Sequence, residues 1–573
     1  MRSWPLLGLG ITFAAAPLMF AGCGSSNSSS PQNDGGETSD GTTEAGGSSS
    51  GGSSSSSSGG SSGSSGGDAG DGGIAEGGDA GDGGAQSLLS VKHIVVIYLE
   101  NHSFDNLFGS WSGAAGLADG GAAIAQVGPD GGPYGTLPQY SADPTGVESL
   151  DGLTIPNLPF DLTTTGMFQE GALTNDLLHR FYQEQMQING GKMDSYVLWN
   201  DESAGQSYGY WPTSTLPVPT WMQAHASSVT LLDHFFHAAF GGSFLNHFWL
   251  VAAQSPTFPG APAGIVAQPN DAGQLVAPLD TTSVPPNTVY ASGSVDGQVT
   301  PDGFAVNTTY SVNEPHPPAY DTGASSRTKL LPQQTFPTIA DELDTASVTW
   351  AWYAGGWNVA LANAGIGSVG TDAGSEAIEG GTPEVLNIFE YHHQPFVYFQ
   401  NWGGTATAAA DGGVAGVGTI PNGKWATNHN LKDEEDFLAA AAAGTLPSVS
   451  FVKPLFDEHP NYTTETQSEQ NTVNLINAVA NGPLWSESAI IITYDENGGE
   501  WDHVAPPKTD KWGPGTRVPG IVISPFAKGG VDSTVYDTTA ILKLIEKRFA
   551  LTALSTRDQA QNDISANAMT FAP

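Results

Sequence analysis

The chain has 573 residues and a formal net charge of −41, because 58 acidic residues stand against 17 basic ones. A surface of that sign repels the phosphates of nucleic acid, so we expect no nucleic-acid partner. A single cysteine excludes an intrachain disulfide and a cysteine-rich zinc site, whereas a hydrophobic fraction of 39% leaves enough material for a core.

The first 22 residues have the layout of an export signal. A basic start at Arg2 precedes an apolar stretch over residues 6–20, and small residues then precede Cys23. The layout resembles a bacterial lipoprotein signal, whose cleavage leaves a lipidated cysteine as the first residue. Ordinary signal cleavage beside an unmodified Cys23 is the alternative. We expect residues 1–22 to be a signal peptide and the protein to be exported to the bacterial cell envelope, as an outer-membrane or cell-surface lipoprotein with a lipid anchor.

After Cys23, the segment that ends at residue 86 consists almost wholly of Gly, Ser, Asp, Ala and Thr. Such a composition buries too little apolar area to offset the entropy that folding removes, which predicts disorder. We therefore expect residues 23–86 to form a flexible tether, and residues 87–573 to form one folded domain beyond it.

Short apolar runs in the folded part predict buried strands. They cover residues 94–99, 449–452, 489–494 and 520–523. Continuous runs rich in β-branched residues are typical of parallel or mixed sheets that helices cover on both faces. Helical patterns alternate with them at residues 176–188, 433–443 and 538–550. The sequence predicts an α/β fold, with the Gly- and Pro-rich residues 110–165 and 255–330 as long surface excursions.

Two of the predicted strands run into acidic clusters. Glu100-Asn101 follows the first strand, and Asp495-Glu496 follows the strand over residues 489–494. Ligands of open α/β sheets bind beyond the carboxyl ends of strands, and crowded carboxylates at low dielectric favour a bound cation. Turn and cap residues are the alternative, because Asp, Asn and Gly are common in those positions. We favour one divalent metal ion held by both clusters.

A glycine loop and a set of histidines indicate a site for an anion. Gly241-Gly242 before Ser243 forms a tight loop that can present the hydroxyl, and a nearby metal ion would make it nucleophilic. Ordinary loop sequence is the alternative. Because Lys and Arg are scarce, we expect histidines to supply positive charge for a phosphate group. The candidates are His179, His392, His393, His459 and His503.

Several motifs together carry a resemblance to a known family. The first covers residues 91–109, from Val91 to Gly109. The others follow in the expected order at residues 190–194 (GGKMD), 392–396 (HHQPF), 458–460 (EHP), 494–499 (YDENGG), 501–507 (WDHVAPP) and 517–519 (RVP). These motifs resemble the bacterial phosphoesterase family, which holds phosphatidylcholine-hydrolysing phospholipases C and respiratory-burst-inhibiting acid phosphatases. The resemblance covers residues from about 90 to 550.

The resemblance implies an alkaline-phosphatase-like sandwich with a central, mostly parallel sheet and long insertions. By matched motif, the metal ligands would be Glu100, Asn101, Ser243, Asp495 and Glu496. Ser243 would also be the nucleophile. The phosphoryl group would be surrounded by His179, His393 and His459, with His392 close by. Three further residues would support these groups without direct contact with the substrate: Asn246, Asp502 and His503. Asp537-Thr538 departs from the family, since many members have Asp-His there.

The resemblance further implies hydrolysis of phosphate esters through a phosphoserine on Ser243, with His459 or His393 protonating the leaving group. Since imidazolium is populated below pH ~6.5, we expect an acidic optimum. The substrate would be a phosphate monoester or a phospholipid. Three interpretations remain: a broad phosphomonoesterase, a phospholipase C that releases phosphorylcholine from phosphatidylcholine, and a non-catalytic surface lipoprotein.

Overall fold

The computed structural model describes residues 87–119, 124–138, 153–165, 173–200, 204–270, 275, 296–366, 389–405, 420–460 and 463–571. The expected signal peptide, Cys23 and the expected tether lie outside the described residues. Among the helices of the described ranges, each is too short or too polar to cross a bilayer.

A large central sheet organises the described chain. The strands are β1 His93–Leu99, β2 Phe160–Asp161, β3 Gly209–Tyr210, β4 Val229–Leu232, β5 Phe235–Phe236, β6 Trp350–Ala354, β7 Leu431–Asp433, β8 Val449–Lys453, β9 Ser488–Tyr494, β10 Gly520–Ile523, β11 Gly530–Asp532 and β12 Tyr536–Asp537. Eight of them form one sheet in the order β11-β4-β10-β9-β1-β8-β6-β7. All neighbours are parallel except β10, which runs antiparallel to β9 and β4.

Helices flank this sheet. They are α1 Phe104–Phe108, α2 Phe181–Ile188, α3 Pro217–Ala224, α4 Ser243–Ala252, α5 Ala324–Arg327, α6 Ile339–Thr345, α7 Trp357–Asn363, α8 Gln400–Gly403, α9 Lys424–Thr427, α10 Glu434–Ala443, α11 Glu465–Ala480, α12 Thr539–Phe549, α13 Thr556–Ala560 and α14 Ile564–Asn567. One group packs α11 against α3 and α10, and another packs α12 against α4. The predicted α/β class with a mostly parallel central sheet is confirmed.

The predicted strands form where the apolar runs lie, as β1, β8, β9 and β10. Their side chains are buried on both faces, which explains why the runs are continuous rather than alternating. Two of the predicted helices also form, as α10 and α12. The first, α10, begins after an Asp433 capping box and ends before Gly444, which has a φ of 69°.

Two expectations were wrong in detail. The helix predicted from residue 176 begins at Phe181, so His179 lies before the helix in irregular backbone. The described part of residues 255–330 is more than a surface excursion, because Phe258, Val299 and Val306 are buried in the main core.

Candidate active site

The register between β1 and β9 brings the two acidic clusters together. Leu99 pairs with Tyr494 in parallel, so the residues that follow leave the sheet at the same edge. The backbone N–H groups of Asn101 and Glu496 both donate to Asp495 Oδ1, over 3.3 and 2.7 Å. Glu100, Asn101, Asp495 and Glu496 are all inaccessible to solvent. The structure thus places the four expected metal ligands side by side.

Asn101 holds a strained position between these carboxylates. Its φ of 63° is left-handed, a region that Asn tolerates better than most residues. Gly498 allows the close approach, because a Cβ there would lie 2.3 Å from the Asn101 carbonyl oxygen. The backbone of the second cluster is therefore fitted against the first, and a larger residue at 498 would push them apart.

Ser243 is the first residue of α4 and points into the acidic cluster. Its hydroxyl donates to Glu100 Oε2 over 2.8 Å, with Glu496 Oε1 at 3.5 Å. Only 4% of the residue is exposed. Asn246, one turn further on, accepts from the Ala239 N–H over 3.0 Å and donates to the Gly241 carbonyl over 3.1 Å. Asn246 thereby fixes the loop that carries the serine, and the supporting role expected for it stays a prediction.

Three of the expected histidines surround the cluster from different elements. His179 Nε2 lies 3.6 Å from Glu496 Oε1, and His393 Nε2 lies 3.6 Å from Glu100 Oε2. His459 Nε2 is 3.1 Å from the Asn101 side-chain amide. The fourth, His392, packs its ring edge-on against His393 with centroids 4.3 Å apart.

Burial works against positive charge on three of these rings. It lowers the pKa of His392 to about 3, and it lowers the pKa values of His393 and His459 below their usual range. In the absence of an anion, burial therefore favours the neutral form of these three imidazoles, whereas the sequence led us to expect positive charge.

The cation of the site is Lys453, which sequence reasoning missed. Its ammonium lies 2.7 Å from Glu100 Oε1 and 2.5 Å from Asp457 Oδ2, and 3% of the side chain is exposed. Burial alone would lower the Lys453 pKa, but the two carboxylates raise it above its usual value. Lys453 ends β8 and Glu100 follows β1, so the two residues meet because these two strands pair.

His247 was also missed. It lies one turn after Ser243 on α4, and its Nδ1 donates to the Ser243 carbonyl over 2.8 Å. Its ring stacks on His393 with centroids 5.0 Å apart, and Nε2 is 4.0 Å from Glu100 Oε1. The spacing of four residues along a helix could have revealed it.

Asp502 and His503 lie outside the acidic cluster. The Arg517 Nε donates to Asp502 Oδ1 over 3.0 Å, and a second guanidinium nitrogen donates to Asp105 over the same distance. His503 Nδ1 lies 2.6 Å from Asp105 Oδ2. This network fixes α1, which follows Asn101, so the support it gives to the site is indirect.

The acidic cluster has the donor chemistry of a cation site. Burial and the neighbouring carboxylates raise the pKa values of Glu100 and Glu496 well above their usual range. Asp495 Oδ2 is buried and forms no hydrogen bond with any described residue. Glu100 also lies within ligand spacing of His247 and Asp495 in one group of possible metal ligands. A metal ion bound here would remove both the repulsion and the unpaired oxygen.

The Asn101 amide is oriented by the groups around it. One of its terminal atoms lies 2.5 Å from Glu496 Oε1 and 3.0 Å from Glu100 Oε2, and the other lies 3.1 Å from His459 Nε2. Because carboxylate oxygens accept hydrogen bonds, the amide nitrogen faces the two glutamates and the amide oxygen faces His459. On the far side of the ring, His459 Nδ1 lies 2.7 Å from the Pro460 carbonyl oxygen.

A serine hydroxyl within a buried acidic cluster, at the carboxyl edge of a mostly parallel sheet, has the arrangement of a site that could act on an anionic ester. The chain belongs to the phosphoesterase family, whose model matches residues 91–552. It is therefore a phosphoric ester hydrolase.

Phospholipases C are among the proteins to which the chain is similar. Phospholipase C A of Mycobacterium tuberculosis is 25% identical over 501 residues, which are 81% of this chain and 74% of that protein. Non-hemolytic phospholipase C of Pseudomonas aeruginosa is 23% identical over 512 residues, which are 81% of this chain and 55% of that protein. Non-specific phospholipase C6 of Arabidopsis thaliana is 30% identical over 159 residues, which are 22% of this chain and 30% of that protein.

Proposed function

We propose that the protein is a metal-dependent phospholipase C that cleaves the glycerol side of a phospholipid phosphodiester with Ser243 as its nucleophile. The observation that carries the proposal is the Ser243 hydroxyl, buried and 2.8 Å from Glu100 Oε2 within the acidic cluster. The phospholipase C relatives, which align with 81% of the chain, supply the substrate class.

One divalent metal ion would be held by Glu100, Asn101, Ser243, Asp495 and Glu496. When bound, it would lower the pKa of the serine hydroxyl and neutralise charge on the phosphoryl oxygens. The nearest acceptor of the serine proton is Glu100 Oε2. Lys453 keeps the other oxygen of Glu100 engaged, which orients the carboxylate toward Ser243.

The chain's own residues can carry out a two-step displacement. Ser243 Oγ forms a bond to phosphorus as the bond to the diacylglycerol oxygen breaks, and the serine proton passes to Glu100. His459 or His393, which takes up a proton when the anionic ester binds, gives that proton through Nε2 to the leaving oxygen. Water then attacks the phosphoserine and gives a proton to the histidine, while the bond from phosphorus to Ser243 Oγ breaks, Glu100 returns its proton to Oγ and the phosphorylated headgroup leaves. His179 Nδ1 donates to the Leu177 carbonyl over 2.5 Å, so its Nε2 faces the same space as an acceptor.

The charge of the site favours a diester over a monoester. A monoester brings two negative charges near neutral pH, whereas a diester brings one. Lys453 is already paired with two carboxylates, and the buried histidines are neutral in the free site. The positive charge left for a substrate is therefore small. A broad phosphomonoesterase remains the second candidate, because the acidic cluster and serine would serve either ester.

A parallel assay tests this proposal. The full chain is incubated with phosphatidylcholine vesicles and with p-nitrophenyl phosphate, each with and without a chelator. We expect phosphorylcholine and diacylglycerol, and loss of both with chelator. Release of inorganic phosphate from the monoester alone would select the phosphomonoesterase, and activity that survives complete metal removal would refute metal dependence.

Ser243→Ala should abolish turnover, because no other group takes the place of its oxygen, while the thermal unfolding midpoint stays close to that of the wild type. Ser243→Thr, which keeps a hydroxyl, is the matched control and should retain measurable activity. Trapped phosphoenzyme detected by mass spectrometry in the wild type and absent from Ser243→Ala would support the intermediate. Undiminished activity of Ser243→Ala would refute the nucleophile.

We also propose that the protein is exported and lipidated at Cys23. The support is the order of three features in the sequence: a basic start, an apolar stretch and then a cysteine. Metabolic labelling with a fatty acid should label the wild type and leave Cys23→Ser unlabelled. Equal labelling of both would refute the lipidation site.

A further inference from the structure

A second group of buried acids lies beside the proposed active site, without sharing its ligands. It comprises one histidine and four glutamates, which we call the glutamate–histidine cluster. Its members are His102, Glu458, Glu465, Glu469 and Glu500, and none exposes more than 8% of its surface. The cluster joins the turn after β1, the loop after β8, the first turns of α11 and the loop after β9.

Ligand spacing is the first observation. His102 Nε2 lies 3.1 Å from Glu465 Oε2, and one atom each of His102, Glu458 and Glu465 falls within 4.8 Å of the others. Ligand atoms bound to one cation at 2.1–2.5 Å are separated by about 3–4.5 Å. The spacing of the three side chains is therefore compatible with a shared cation.

The charge of the cluster is the second observation. Among the described residues, His102 is the one basic group that forms an ion pair with any of the four glutamates, through Glu465 at 3.1 Å and Glu500 at 3.2 Å. Four buried carboxyls against one imidazole leave an excess of negative charge if the carboxyls are ionised. Such an excess requires either protons or a cation.

Carboxylate oxygens without hydrogen-bond partners favour a cation over protons as the compensation for this negative charge. Burial and Glu465 raise the pKa of Glu458 to about 8, and its carboxyl meets the Tyr494 hydroxyl, so a proton there is the rival explanation. A protonated carboxyl must donate its proton to an acceptor. Glu465 Oε1 and Glu469 Oε1 are buried and form no hydrogen bond with any described residue, although both residues are more than nine-tenths buried. Two carboxylate oxygens without donors are the chemistry of a cation site.

We propose that His102, Glu458 and Glu465, with Glu469 beside them, bind a second divalent cation. Carboxylate oxygens with one imidazole suit a hard or borderline ion such as Mn²⁺, with Ca²⁺ as the oxygen-only competitor. This ion has no contact with the scissile ester. It fixes the loop after β8, in which Glu458 has a φ of 77° and its carbonyl lies 3.1 Å from His102 Nε2. The same loop carries Asp457 and His459.

Metal stoichiometry tests the second site. The full-length protein is stripped with chelator and titrated with Mn²⁺ and, separately, with Ca²⁺, by calorimetry and by metal analysis after dialysis. We expect two equivalents of Mn²⁺ in the wild type. Asp495→Asn should lose the equivalent of the proposed active site and keep the other, whereas Glu465→Gln should show the reverse loss.

Two control variants make the outcome decisive. Glu469→Gln removes a carboxylate without removing a direct ligand and should weaken the second equivalent rather than abolish it. Glu435→Gln, at an exposed position on α10, should leave both. If the wild type binds a single equivalent, its retention in Asp495→Asn and its loss in Glu465→Gln would support the second site, even though the proposed active-site metal would then not be bound. If the wild type binds a single equivalent and Asp495→Asn abolishes it, the proposed second site is refuted. This result does not depend on Glu465→Gln, so it stands even if that variant does not fold.

Discussion

Lys453 shows how much a single buried charge decides in this protein. Its ammonium links Glu100, which faces the serine, to Asp457, in the loop that carries His459. Removal of one partner from a buried ion pair leaves the other charge unpaired at low dielectric. Lys453 is thus a positioning residue for Glu100.

Lys453→Met should lower the free energy of unfolding by about 3–5 kcal/mol, since it leaves two buried carboxylates without their cation. The measurement is denaturant unfolding. Lys92→Met is the matched control, because Lys92 pairs with Glu487 at the same distance of 2.7 Å but with 58% of its side chain exposed. Lys92→Met should lower the free energy of unfolding by at most about 1 kcal/mol. Equal costs for both variants would show that Lys453 is not a buried charge.

The sequence located the acidic residues of the site but missed Lys453, and the reason is physical. Glu100 and Asp495 could be found because each follows a continuous apolar run. Lys453 also ends such a run, but its position beside Glu100 depends on the pairing of β8 with β1, where Ile97 meets Val452. Local sequence patterns do not reveal which distant strands pair with each other.

At the scale of elements, a buried glutamate ties α2 to the serine loop. Glu184 Oε2 accepts from the Gly241 N–H over 2.6 Å. Its other oxygen lies 2.8 Å from His237 Nε2 and accepts from the Thr516 N–H over 2.8 Å. Burial would raise the Glu184 pKa, but His237 and the backbone donors lower it below its usual value. An ionised Glu184 therefore fixes the loop from two elements at once.

Glu184→Gln should reduce kcat roughly 10- to 100-fold with a smaller change in KM, because an amide nitrogen then faces one of these donors and displaces Ser243. Steady-state kinetics on phosphatidylcholine vesicles measures both constants. The exposed Glu435→Gln serves as control. A rise in KM with unchanged kcat would assign Glu184 to substrate binding instead.

The start of α2 shows where sequence analysis of elements fails. The apolar pattern begins at residue 176, yet the helix begins at Phe181, whose N–H donates to Asn307 Oδ1 over 3.0 Å. Its cap thus comes from a side chain more than 100 residues away. By contrast, α10 carries its own cap in Asp433 and was predicted to within one residue.

At the scale of the whole molecule, the excess of acidic over basic residues extends into the active site. Burial raises the pKa values of Glu100, Asp495 and Glu496, so in the metal-free protein they hold protons at a higher pH than usual. A metal ion must displace those protons. The acidic optimum expected from the sequence stays a prediction, although burial lowers the pKa values of three of the histidines on which it rests.

Metal affinity should therefore fall as pH falls, by roughly tenfold per pH unit for each proton displaced. The acid limb of the activity profile should move to lower pH when the metal concentration is raised. Metal titrations between pH 5 and pH 8 check the first expectation, and rate profiles at two metal concentrations check the second. An affinity independent of pH would show that the carboxylates are already ionised in the metal-free protein.

The pairing of Leu99 with Tyr494 has a consequence for when the enzyme becomes active. Asn101 and Asp495, which meet at the site, are 394 positions apart in the chain. A growing polypeptide cannot assemble the ester-cleaving centre until nearly its whole length is available and the two strands have met. The centre is therefore completed late in folding, when the last of its strands pairs with the first.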